Sequence, residues 1–149
     1  MLTLDANILI GWLDRHDASH ELAVDIIESH EWDEFATATV TLAEVLVRPA
    51  LDGVYDEHLD AITALDVSIF GVDGDMVRSI STLAAHERLR GPDAAVLAVA
   101  MRTSTAIATL DQRLAAAARR VGFGVVDEPA EDALPEPGPA WWERLPSVG

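Results

Sequence analysis

Three aspartates and one glutamate occupy positions from which a carboxylate can do chemistry. Asp5 closes the apolar run Leu2 to Leu4 and opens a helical pattern, Asp93 follows Gly91 and Pro92 at the start of another, and Asp111 follows the run Ala106 to Thr109 and opens a third. Glu44 is expected in the first turn of the helix after the second strand. In open parallel sheets ligands bind beyond the carboxyl ends of the strands, where loops of this kind converge, so the four side chains are expected to face one crevice. Carboxylates crowded together repel one another, and without a cation some take up protons. A divalent metal relieves the repulsion. Oxygen-only ligation favours magnesium or manganese, which keep several waters and bind through a few carboxylates plus substrate phosphate oxygens. Such ions activate water for in-line attack on phosphorus and offset charge on the leaving oxygen, so the expected reaction is metal-assisted hydrolysis of a phosphodiester.

Each residue also has a purely structural reading. Aspartate is a favoured N-cap, worth about 1 kcal/mol, which accounts separately for Asp5, Asp93 and Asp111. Thr41-Leu42-Ala43-Glu44 fits the capping box, with Glu44 reaching back to a free amide. The conjunction of all four in one chain is what favours a site.

Composition narrows the alternatives. The 149 residues, 50% apolar and 24% charged, suffice for one compact domain. Cysteine is absent, which excludes disulfides, thiolate zinc sites, iron–sulfur clusters and a cysteine nucleophile. The 10 basic residues are all arginine, so a Walker-A loop and a pyridoxal-phosphate Schiff base both fail for want of lysine. The same lack counts against a haloacid-dehalogenase-like phosphatase, where Asn7 stands in place of the second aspartate, and against a receiver domain. With 26 acidic residues the formal charge is −16, which discourages non-specific polyanion binding. A nucleic-acid substrate then needs a local arginine patch, bound metal or high salt. Arg48, one helical turn past Glu44, and Arg90, just before Asp93, are the candidate substrate contacts, with ordinary surface ion pairing as the competing reading. His16 and His20 are the one histidine pair at helical spacing, expected on a solvated surface rather than as metal ligands. No secretory signal pattern follows Met1 and no apolar run approaches a membrane span, which makes a cytoplasmic location the expectation.

Short apolar runs alternate with longer amphipathic stretches, the pattern of a parallel α/β domain. Strands are expected at Leu2 to Leu4, Phe35 to Ala38, Val67 to Val72, Ala106 to Ala108 and Phe123 to Val126. Helical faces lie at Ile8 to Leu13, Leu22 to Ile27, Leu42 to Leu51 with Pro49 disturbing its end, Leu59 to Leu65, Met76 to Ala84, Pro92 to Thr103 and Leu114 to Val121, the last ended by Gly122. Five of the 7 prolines lie between Pro129 and Pro146, so the domain is expected to span residues 1–127, followed by a tail over 128–149. Trp141 and Trp142 point to that tail folding back over the domain or a partner.

Leu4-Asp5-Ala6-Asn7-Ile8-Leu9, Thr41-Leu42-Ala43-Glu44, Pro92-Asp93-Ala94-Ala95-Val96-Leu97-Ala98-Val99-Ala100 and Ala108-Thr109-Leu110-Asp111-Gln112-Arg113-Leu114 together resemble the PIN-domain ribonucleases, most closely the VapC-like toxins of toxin–antitoxin pairs. The resemblance covers about residues 1 to 127 and implies an α/β/α sandwich around a central, mainly parallel sheet of about five strands. It further implies that Asp5, Glu44, Asp93 and Asp111 form an acidic Mg2+ or Mn2+ site, supported by Asn7 and Thr109, that cleaves RNA. A homodimer and a small cognate antitoxin are implied as partners. The antitoxin carries the DNA-binding part in such pairs, so no duplex DNA binding by this chain alone is expected. The alternatives are a free-standing PIN nuclease without antitoxin and a catalytically silent PIN-like protein-binding module.

Overall fold

The computed structural model describes residues 1–131. Each expected apolar run contributes a strand: β1 (Leu2–Leu4), β2 (Phe35–Ala38), β3 (Ser68–Phe70), β4 (Ala106–Ala108) and β5 (Gly124–Val126). They form one sheet in the order β3-β2-β1-β4-β5, and every pairing is parallel. β1 and β2 are buried throughout, which is why they read as unbroken apolar or small runs rather than as an alternating pattern.

Successive side chains on these strands feed two cores. Leu2, Leu4 and Phe35 pack with α1 (Ala6–Leu13), α2 (His20–Ser29), α3 (Thr39–Val45) and α5 (Tyr55–Ala64). Ala38 and Ile107 pack on the other face with α6 (Val77–Glu87), α7 (Gly91–Thr103) and α8 (Gln112–Arg120). The result is the expected α/β/α sandwich. Residues Ala94 to Ala100 of α7 are all buried, so this helix is enclosed by sheet and neighbours, and its small alanines permit the close fit. α1 and α2 approach as closely because residue 11 is glycine: a Cβ there would lie 3.1 Å from the Ala23 methyl and 3.3 Å from the Ser19 carbonyl oxygen.

The chain winds outward from β1 through β2 to β3 and returns on the opposite side of β1 as β4. The topological switch therefore lies between β1 and β4. Leu4 pairs with Ala108, and the Asp5 amide donates to the Ala108 carbonyl at 3.0 Å, so Asp5 and Thr109 leave adjacent strand ends side by side.

Two expectations are corrected. The helix expected over Leu42 to Leu51 is two helices, α3 and α4 (Val47–Asp52), and the first begins earlier, at Thr39. Proline has no amide to donate to the carbonyl four residues back, and its ring crowds that carbonyl, so Pro49 is accommodated in the first turn of a new helix. Met76 belongs to a short 3-10 turn, Gly74–Met76, ahead of α6 rather than to the helix itself. Beyond β5, Asp127 pairs with Arg119 at 2.7 Å and the Ala130 amide donates to Ser29 Oγ at 3.0 Å. The rest of the expected tail, with Trp141 and Trp142, lies outside the described residues. No helix of the described residues is long and apolar enough to cross a membrane.

Candidate active site

Asp5 occupies the N-cap position of α1 without the usual side-chain capping bond, the adjacent Ala6 amide being the one helix group that acts on its carboxyl, so capping alone does not explain it. Oδ2 instead accepts from Thr109 Oγ1 at 2.8 Å and from Asn7 Nδ2 at 3.1 Å. Thr109 Oγ1 in turn accepts from the Asp111 amide at 3.1 Å and from Asn7 Nδ2 at 3.4 Å, which uses the one donor and both lone pairs of a hydroxyl. Asn7 Oδ1 accepts from the Leu110 amide at 3.0 Å. A single network thus ties the end of β1 to the loop after β4. Burial pushes the Asp5 carboxyl up from 3.8 to about 6; the Thr109 hydroxyl and the Ala6 amide work against the rise, and the charges of Asp93 and Asp111 add to it.

Asp111 does cap its helix. Oδ1 accepts from the amides of Arg113 and Leu114 at 2.9 and 3.1 Å, leaving Oδ2 without a protein bond among the described residues. Asp93 lies in the first turn of α7, where Oδ2 accepts from Arg90 Nε at 3.1 Å. Its side chain is 15% exposed against 71% for the arginine, so the pair straddles the rim of the site.

Glu44 departs from expectation. Because α3 starts at Thr39, behind Ala38 and with no side-chain cap, Thr41 and Glu44 form no capping box, and Glu44 lies one turn later than expected, exposed. Its charge still reaches the site. The Arg90 guanidinium is raised above its ordinary value first by the Asp93 hydrogen bond and charge, and further by Glu44 and Asp111. Asp5 feels Asp93 and Asp111, while Arg90 feels Asp93, Glu44 and Asp111, so all four carboxylates share one electrostatic neighbourhood.

That neighbourhood is not a finished cage: among the described residues no three Asp, Glu or His side chains are gathered closely enough to hold an ion as they stand. The donor chemistry nevertheless suits a hard divalent cation. All donors are carboxylate oxygens, Asp111 Oδ2 accepts no bond among the described residues, and the raised Asp5 carboxyl marks a charge held at a cost that a cation would remove.

The remaining candidates sit apart from this network. Arg48 is on α4, not one turn along the helix of Glu44, and pairs with Asp52 at 2.9 Å. His20 is not solvated as expected but half-buried, its Nδ1 bonded to the Gly11 carbonyl at 2.7 Å, while His16 is exposed. Arg113 is the second residue of α8, two positions past the Asp111 cap, and is exposed.

The PIN domain family model matches residues 2–120. No curated protein matches the chain in sequence. Among solved structures it is similar to the Mycobacterium tuberculosis VapC20 toxin, described as cleaving the sarcin–ricin loop, with 16% identity, 83% of this chain and 96% of that one covered, and a TM-score of 0.65. A toxin–antitoxin complex from Klebsiella pneumoniae matches at 24% identity over 73% of this chain and 85% of that one, TM-score 0.59. VapBC2 from Rickettsia felis, bound to a promoter DNA fragment, matches at 11% identity over 84% and 96%, TM-score 0.63. At these identities the structural likeness speaks for the fold, and the family match covers most of the chain: the protein belongs to the PIN-domain family.

Proposed function

We propose that the chain is a divalent-metal-dependent endoribonuclease that hydrolyses RNA phosphodiester bonds, and that it is the toxin of a toxin–antitoxin pair. The observation that carries the reading is Asp5: a buried carboxyl, fixed by Thr109 and Asn7 at the switch point of the sheet and repelled by Asp93 and Asp111. Asp5, Asp93, Asp111 and Glu44 would hold Mg2+ or Mn2+, which when bound supplies an activated water and neutralises developing phosphate charge. Thr109 and Asn7 hold the Asp5 carboxylate in one orientation. The two α8 amides fix Asp111 through Oδ1 and leave Oδ2 without a bond among the described residues. Arg90 partly offsets the acidic charge against which an RNA phosphate must approach.

The toxin assignment draws on the likeness to VapC20 and to toxin–antitoxin complexes, and with it come a cognate antitoxin, a homodimer and a cytoplasmic setting. The antitoxin supplies the DNA contact in this reading. The test is incubation of the full chain with a mixed RNA pool in manganese, in chelator, and as Asp93→Asn in manganese. Cleavage in the first alone supports the proposal. An intact pool in all three overturns it and leaves a catalytically silent PIN module.

A further inference from the structure

We infer that Arg88 and Arg113 grip the backbone of the RNA strand as it leaves the acidic site. The inference rests on the nuclease reading above and names where the substrate runs. Arg88 ends α6 in the left-handed region, at φ 54° and ψ 42°. Glycine is the usual residue in such a helix ending, and a residue with a Cβ held there costs on the order of 1 kcal/mol. The side chain carried at that cost is exposed and makes no ion pair among the described residues, and the same is true of Arg113.

The two arginines line one shallow hollow of about 320 Å³ with Glu87, Gln112, Ala116 and Arg120. The only acid lining it, Glu87, is taken up by Arg120 at 2.6 Å, with its side chain just 15% exposed. Arg88 and Arg113 are therefore uncompensated, a local positive surface on a chain of formal charge −16. The hollow adjoins the acidic site by two routes: Arg88 is two residues from Arg90, which holds Asp93, and Arg113 is two residues from Asp111, whose carboxylate accepts the Arg113 amide. A strand cleaved at the carboxylates must continue over neighbouring surface, and guanidinium forks match phosphate oxygens in charge and geometry. A phosphodiester chain fits this continuity better than an acidic protein segment, which would have no reason to pass through the carboxylates.

The probe is a labelled single-stranded RNA of about 12 nucleotides, its binding to the full chain followed by anisotropy in calcium chloride across a potassium chloride series. Arg88→Gly and Arg113→Gln should each weaken binding about tenfold at low salt and reduce the salt slope by about 0.7. Arg88→Gly relieves the left-handed strain, so it should melt no lower than the parent, which separates lost binding from lost fold. Arg102→Gln removes the same charge from the far end of α7, where Arg102 faces Asp73 at 3.5 Å, and should leave the slope unchanged. Parent-like slopes in both variants, with the parent still cleaving RNA, overturn this inference alone. A parent that neither binds nor cleaves RNA overturns the nuclease reading and this inference together.

Discussion

Thr109 and Asp5 lie 104 positions apart in the chain, yet the threonine hydroxyl donates to the carboxylate at 2.8 Å. The contact exists because β4 pairs directly with β1, Leu4 opposite Ala108, so that both residues step off adjacent strands together. Thr109 is fully buried and its hydroxyl has no unused bonding capacity. Thr109→Val keeps the shape and removes the bonds, leaving the Asp5 carboxyl and the Asp111 amide short of a partner. The expected loss is about 1–3 kcal/mol in urea unfolding, together with weaker manganese binding by calorimetry. Thr109→Ser should restore most of both; a valine variant as stable as the parent would contradict the network.

Asp5 sets a pH dependence of stability. Its carboxyl titrates near 6 in the folded chain against 3.8 when exposed. Below about pH 3 both states hold the proton and Asp5 costs nothing; as pH rises from there to about 6 the unfolded chain releases its proton first, and folding becomes less favourable. At about 1.4 kcal/mol per pH unit the full cost is about 3 kcal/mol above pH 6. In chelator, Asp5→Asn should therefore be more stable than the parent at about pH 8 and nearly equal to it at about pH 3, and with manganese restored it should not cleave RNA. Equal stability at both pH values would mean the carboxyl is not held at a cost.

How far the sequence discloses this site depends on which interactions are local. Strands of three or four residues are legible because short apolar runs stand between amphipathic stretches, and Asp5 and Asp111 are legible because each ends such a run. The strand order is a long-range property, and the Thr109 to Asp5 bond follows from it, so spacing along the chain could not show that bond. The break between α3 and α4 is hidden for another reason. Leu42, Val45, Leu46 and Pro49 are all buried, so the apolar pattern continues across the break while the hydrogen-bond ladder does not. That concealed break moved Arg48 to a second helix, whereas Glu44 is displaced by the early start of α3 at Thr39. The Arg90 to Asp93 pair has ordinary helical spacing and was legible as an ion pair, the reading weighed against substrate contact.

Arg90 bonds Asp93 and feels Glu44 and Asp111, so it competes with any cation for the same carboxylates. Arg90→Gln should tighten manganese binding by up to about fivefold and change stability little, since the arginine is mostly exposed. RNA affinity should fall in the same variant if Arg90 also meets phosphate. Calorimetric titration with manganese, followed by RNA anisotropy, separates the two effects. Weaker manganese binding would show that Arg90 organises Asp93 rather than competing for it.

The charge balance sets the remaining prediction. A chain of formal charge −16 repels itself in the compact state, and the screening length falls from about 10 Å at 0.1 M salt to about 3 Å at 1 M. Salt also screens attractive pairs, but in all five ion pairs of the described residues the arginine is at least half exposed, so their loss is worth little. Repulsion among 26 acidic residues outweighs them, and the melting temperature should rise with potassium chloride. The range over which it rises discriminates two origins of the acidity. A surface in which arginine merely replaces lysine levels off near 0.1 M, whereas one suited to concentrated salt gains strongly up to about 1 M. Melting must be followed in chelator, because an ion bound at Asp5, Asp93 and Asp111 would neutralise part of the repulsion and blur the comparison. A melting temperature flat from low salt to about 1 M would show that the acidic surface does not strain the fold.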